Sequence, residues 1–211
     1  ERMMSAHTTA GVVATLNRGG LQGGPCPREL AEVLRVAAQV SEATDGGFDV
    51  TVRPLLQVWK KAAREGRLAT DEEITAALEQ VSWRAVEIGD DWFRITRPGV
   101  SVDLGGIAKG YFGDVAIGRL RAAGATRCIA DIGADLVTWR DEGTREFEVG
   151  IRKPWGEGLM GVLTVEGGAV VTSGDYERFL TVGDRRLCHI VDPRTSAPVE
   201  GMESVTVLAP T

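Results

Sequence analysis

Residues 189–198, HIVDPRTSAP, place His189, one of two histidines in the chain, where an apolar strand runs into an Asp-Pro turn. Leu187, His189 and Val191 alternate with Cys188 and Ile190, so the imidazole shares a face with apolar neighbours while Asp192-Pro193 turns the backbone away. In such surroundings a small shift tunes an imidazole across neutral pH, which suits a general base. The same spacing also describes a hydrogen-bonded core histidine.

A second constellation, SVDLGGIAKG at 101–110, ends a strand at Asp103 and starts a helix after Gly105 and Gly106. Glycines there let a ligand approach the backbone, first-turn amides point at it with the helix dipole, and Lys109 adds a charge one turn in. The geometry fits an anion, although the string is neither a P-loop nor a dinucleotide-binding turn. The alternative is that Asp103 caps the helix, the glycines make a tight turn and Lys109 is solvated. Two further strings, GGFDVTVRP at 46–54 and VVTSGDYER at 170–178, read singly as a helix stop with a turn and as a glycine turn between strands.

The elements that carry these groups follow from periodicity and punctuation. A helix is expected over 27–44, with Leu30, Val33, Leu34, Ala37 and Val40 on one stripe and Asp45-Gly46-Gly47 as its stop. A second starts at Thr70, where Thr70 and Glu73 have capping-box spacing, and 48–59 between them reads as loop. Strands over 84–88 and 92–96 flank a Gly89-Asp90-Asp91 hairpin turn. A short strand over 100–104 leads into a helix over 107–123 whose apolar residues cover more than one face, so burial is expected. Short strands then follow near 126–132, 135–139, 146–151, 160–165, 169–172, 177–182, 185–191 and 203–208. This is an α+β chain, helices early and strand-rich in its second half.

Composition limits the function classes. The 211 residues are 43% hydrophobic and 26% charged, those of a globular chain that can bury a sizeable core as one domain or two small fused halves. A net charge of −6 with both signs interspersed argues against a nucleic-acid partner. No run of about 18 apolar residues marks a membrane span. Three scattered cysteines, Cys26, Cys128 and Cys188, suit neither a disulfide framework nor a zinc site and read as small hydrophobes. The inventory holds no GxSxG elbow and no HExxH, which sets aside serine and zinc hydrolases. The first residue, Glu1, and the last, Thr211, read as cut ends.

Taken in order, DLGGIAKGY, VVTSGDYER and HIVDPRT, with Asn17 before the first helix and Trp59 after the Gly-Gly-Phe-Asp loop, resemble the ApbE family of FAD:protein FMN transferases from about Ser5 to Thr211. The resemblance implies a single ApbE-like domain over 1–211, T-fold-like, of two related α+β halves with FAD in their cleft. It implies cleavage of FAD, release of AMP and attachment of FMN through a phosphoester to a threonine or serine of a target flavoprotein. Carried over, Gly47, Phe48 and Asp49 contact the isoalloxazine and ribityl groups, Asp103 and Lys109 bind FAD, and Ile190 touches the flavin. His189 is the base for the incoming hydroxyl. The Gly106 carbonyl is a ligand of Mg2+, whose remaining ligands are expected beyond Thr211, so that this polypeptide is expected to bind the metal poorly. The acceptor implied is a subunit of a respiratory membrane complex, at the periplasmic or outer face of the cytoplasmic membrane.

Three departures stand out. His7 stands where many members place an aromatic residue facing the ring, and Ala134 and Ser196 replace family glycines. A hydrolase giving free FMN and AMP, and a non-catalytic FAD carrier, remain as alternatives to the transferase.

Overall fold

A computed structural model describes Met4 and residues 11–175 and 179–210. It resolves into two units, Glu1–Ile107 with Phe179–Glu200, and Ala108–Arg178 with Gly201–Thr211. The expectations for Ser5, His7, Thr211 and the end of VVTSGDYER (176–178) lie outside the described residues.

The first unit begins with α1 (Val12–Gly19), which sequence periodicity missed because it is about two turns long and closes on glycine. It buries Val13, Ala14 and Leu16. After β1 (Gly24–Pro25), helix α2 (Arg28–Ala43) follows the expected course up to its last turn: Pro27 precedes it and Leu30, Val33, Leu34 and Ala37 are buried, but Val40, expected on the same stripe, is exposed. The expected loop over 48–59 is corrected by α3 (Arg53–Arg64). Pro54 in its first turn is preorganised for a helix, and Leu55, Trp59 and Ala62, spaced by four and three, bury one face. Helix α4 (Asp71–Leu78) carries the expected capping box: the Glu73 amide donates to Thr70 Oγ1, and the Thr70 amide donates back to the Glu73 carboxylate.

The hairpin is present as β2 (Val86–Ile88) and β3 (Trp92–Ile95), with β1 added to the far side of β3. The strand expected over 100–104 is not part of any ladder. Its Val100, Val102 and Leu104 are buried, but its partners are individual groups. The Asn17 side-chain amide donates to the Val102 carbonyl and accepts from the Val102 amide, both at 2.8 Å, and the Asp103 amide donates to the Val50 carbonyl at 2.7 Å. A side chain has taken the place of a neighbouring strand.

In the second unit α5 (Ala108–Ala122) lies on β4 (Arg127–Asp131) and β5 (Leu136–Arg140). Burial is less than expected: only Gly113 and Ile117 of α5 are buried and Leu120 is exposed, because the helix packs chiefly on β4 and β5. Gly113 permits that approach, since a β-carbon there would collide with the Val137 side chain. The hairpin of β6 (Phe147–Arg152) and β7 (Leu159–Val165) places Phe147, Val149 and Val165 against Val170 of β8 (Gly168–Gly174).

The chain then returns to the first unit, where β9 (Phe179–Val182) pairs with β10 (Arg185–Cys188) and β11 (Val191–Asp192) pairs with β12 (Ala197–Pro198). The single strand expected over 185–191 is therefore interrupted at His189 and Ile190. Finally β13 (Ser204–Ala209) joins the second unit, completing an antiparallel sheet of order β13-β8-β5-β4. Cys26 and Cys188 are buried, Cys128 is half-buried, and all three are free thiols. No helix among the described residues is long and apolar enough to cross a membrane.

The two replaced glycines have a conformational signature. Ala134 has φ 67° and Ser196 φ 60°, the left-handed region that disfavours a β-carbon. Ala134→Gly and Ser196→Gly are each expected to stabilise the fold by about 0.5–1 kcal/mol, strain relief exceeding the added chain entropy. Urea unfolding measures it, and a loss of stability in both variants would contradict the strain.

Candidate active site

The first unit gathers most of the residues singled out above. His189 follows β10 as a half-buried residue, and the chain is fixed immediately after it. The Ile190 amide donates to Cys188 Sγ at 3.4 Å and the Ile190 carbonyl accepts from the Val199 amide at 2.9 Å. The strict alternation expected here fails, because Leu187 and Cys188 are both buried. The strand stops instead of continuing, and that break presents His189 and the exposed Ile190 from an anchored backbone.

Beneath the break, the turn to β12 is closed by Asp192. Its carbonyl accepts from the Ser196 amide, and its carboxylate accepts from the Arg194 guanidinium at 2.7 Å and from the Arg194 amide at 2.9 Å. Trp59 Nε1 donates to the Ser196 carbonyl at 2.9 Å, joining the turn to α3. These bonds commit Asp192 to its own turn.

Arg194 also reaches the loop after α2. Its Nη1 donates to the Thr44 carbonyl at 3.4 Å, and its Cζ lies 3.3 Å from where a β-carbon on Gly47 would stand. Gly47 is thus a site of close approach. The Phe48 amide donates to Thr44 Oγ1, and the Phe48 ring lies 3.1 Å from the β-carbon position of Gly106. Gly47, Phe48 and Gly106 consequently adjoin one another and the HIVDPRT segment. Sequence reasoning missed Arg194; its signal was an arginine two residues after an aspartate in a turn.

Asp49 is buried, and its carboxylate accepts from the Thr51 amide (2.7 Å), the Thr51 hydroxyl (2.6 Å) and the Trp83 amide (3.0 Å). The carboxylate shapes the loop that carries Phe48. Asp103 accepts from the Gly105 amide at 2.9 Å and lies 4.0 Å from Arg53 Nε. That turn leaves Gly105 and Gly106 exposed.

Lys109 belongs to the second unit, where its ammonium meets Asp135 at 3.0 Å and donates to the Gly133 carbonyl at 3.2 Å. An ammonium has three N–H donors, so one remains for a ligand. No three His, Cys, Asp or Glu among the described residues come together as a metal cluster.

The hydrogen bond from Arg194, with burial opposing, holds the Asp192 carboxyl below its usual range. A depressed folded pKa stabilises the fold above the unfolded value, near pH 4, and that contribution fades as pH falls through the folded pKa. Asp192→Asn is therefore expected to lower stability at pH 7 and to shrink the gap from the parent protein as the pH drops below about 4. Unfolding free energies at a series of pH values check this, and a gap independent of pH would contradict it.

Comparison with known proteins follows the same segments. A profile of the ApbE family matches residues 1–211. The FAD:protein FMN transferase of Rhodobacter capsulatus is 32% identical over 184 residues, 85% of this chain and 35% of that protein. That of Klebsiella pneumoniae (strain 342) is 29% identical over 187 residues, 86% of this chain and 58% of that protein. The chain thus spans little more than half, or less, of these curated relatives. The crystal structure of the ApbE protein from Thermotoga maritima superposes with a TM-score of 0.90 at 31% identity, covering 99% of this chain and 69% of that one.

Proposed function

This chain belongs to the ApbE family, and from that premise we propose that it transfers FMN from FAD to a threonine or serine hydroxyl of a target flavoprotein and releases AMP. The observation that carries the reading is the joining of the HIVDPRT turn to the Gly47-Phe48 loop through Arg194, with Gly106 against Phe48. The names of the relatives support it.

A hydroxyl is a weak nucleophile until a positioned base takes its proton, which is the role of His189 in this reading. The freed oxygen attacks the FMN phosphorus in line; the new O–P bond forms as the bond from that phosphorus to the bridging oxygen breaks, and AMP leaves with the electron pair. The proton passes from the imidazolium to solvent. The amide of exposed Gly106 is offered to charge developing on phosphate oxygens, and Lys109 keeps one donor for a ligand. Phe48 and Ile190 offer apolar surface to the flavin, while Asp49 and Asp103 hold their loops. Mg2+ is the cation this chemistry calls for, neutralising the diphosphate when bound. By the family's pattern the Gly106 carbonyl would be one of its ligands; no three His, Cys, Asp or Glu among the described residues come together beside it, and no step above is routed through it. By the family's pattern the acceptor belongs to a respiratory membrane complex outside the cytoplasmic membrane.

The test is intact mass spectrometry of a threonine-bearing acceptor domain incubated with the protein, FAD and Mg2+. A gain of one FMN with AMP released supports the transferase. AMP and free FMN without a gain in mass move the reading to FAD hydrolysis, and binding without AMP moves it to a carrier.

A further inference from the structure

A groove between α3 and β9, wholly within the first unit, has no part in the chemistry above. It is a shallow, open groove of about 720 Å3, and its walls include Gln57, Lys60, Ala63 and Arg64 from α3 and Phe179 and Thr181 from β9. Helix α3 carries Arg53, Lys60, Lys61 and Arg64 and no acidic residue, in a chain whose net charge is −6. Arg53 lies 4.0 Å from Asp103 and Lys61 lies 3.2 Å from Glu73. Lys60 and Arg64, both exposed, have no anionic partner among the described residues.

Lysine and arginine at this i,i+4 spacing share a helix face and repel each other, so the helix itself does not favour the arrangement. A carboxylate-bearing ligand relieves that repulsion. Beside them Phe179 is 46% exposed, and the Arg186 guanidinium stacks on its ring at 4.1 Å. An exposed aromatic side chain rimmed by cations in a concave site matches the anatomy of a protein-recognition groove.

We propose that this groove docks an acidic, extended segment of the acceptor protein, carboxylates meeting Lys60 and Arg64 and an apolar side chain meeting Phe179. The identity of that partner as the acceptor rests on the FMN-transfer reading; the acidic-peptide chemistry does not. Concavity favours a peptide over a membrane, which is recognised by larger basic clusters on an open face. Two cations without an anionic partner among the described residues of the groove are also too few for nucleic acid.

The experiment is calorimetric titration of the full chain with a short glutamate-rich peptide bearing one central leucine, and with its glutamine counterpart. The parent protein is compared with the double variant Lys60→Glu, Arg64→Glu. Expected are binding of the glutamate peptide alone, loss of at least about tenfold in affinity in the variant, and weakening by added salt. Unchanged thermal unfolding and FAD binding in the variant show that the fold survives; if it does not, Lys60→Gln, Arg64→Gln replaces it. Absence of binding, equal binding of the glutamine peptide, or equal binding by a folded variant overturns the proposal. So does capture of phosphatidylserine vesicles through these residues without peptide binding. Because the titration needs no catalysis, peptide binding together with no FMN transfer, even by a form extended beyond Thr211, would sink the transferase reading and leave the groove standing.

Discussion

His189→Ala is expected to slow FMN transfer by about 10²–10⁴, the usual contribution of a positioned general base, while FAD affinity stays near that of the parent. The reason for the separation is geometric. His189 follows the end of β10, and the backbone after it is fixed by the Ile190 amide on Cys188 Sγ and by the Val199 amide on the Ile190 carbonyl. Removing the ring of a half-buried residue leaves those bonds in place. The loop bearing Gly47 and Phe48 is held by Thr44, Asp49 and Arg194, and the turn bearing Gly106 by Asp103, so the proposed flavin contacts persist. Fluorescence titration of FAD beside single-turnover transfer reads the two quantities independently. Parallel loss of both would make His189 a structural residue and restore the core-histidine alternative.

Asp49→Ala is expected to destabilise the protein by about 3 kcal/mol, because it strands buried donors whose desolvation is no longer compensated. The Thr51 amide, the Thr51 hydroxyl and the Trp83 amide all converge on the lost carboxylate. The Thr51 hydroxyl also accepts from the Ser82 amide at 2.7 Å, so the damage spreads to the turn before β2. Asp49→Asn, which keeps one acceptor oxygen, should lose less. Urea unfolding measures both, and FAD titration of the folded fraction should show weaker binding as the Phe48 loop loosens. A stability loss in Asp49→Ala below that of an ordinary surface substitution, within about 0.5 kcal/mol, would contradict this network.

The fold was legible where chemistry is local. Thr70 and Glu73 stand three residues apart and cap one another directly, so their spacing sufficed. Glycine-rich punctuation located the β2–β3 turn. Ala134 and Ser196 stand where the family pattern has glycine, and both adopt the conformation glycine favours. The strings DLGGIAKGY and HIVDPRT carried the family.

Other features depended on partners distant in sequence. Helix α3 is hidden in a stretch that opens like a turn, and its apolar stripe gains meaning only against Val182, Leu187 and Val191 of the returning segment. Asn17 supplies both hydrogen bonds of Val102 from 85 residues away, which no strand periodicity foretells. Arg194 reaches Thr44 across 150 residues and so joins two motifs that the sequence lists separately. The sequence by itself determined caps, turns, left-handed positions and family, because neighbours within one helical turn or one hairpin set those interactions. The tertiary structure decided which buried polar group answers which donor, because desolvation requires every such group to find a partner and only packing chooses among those within reach.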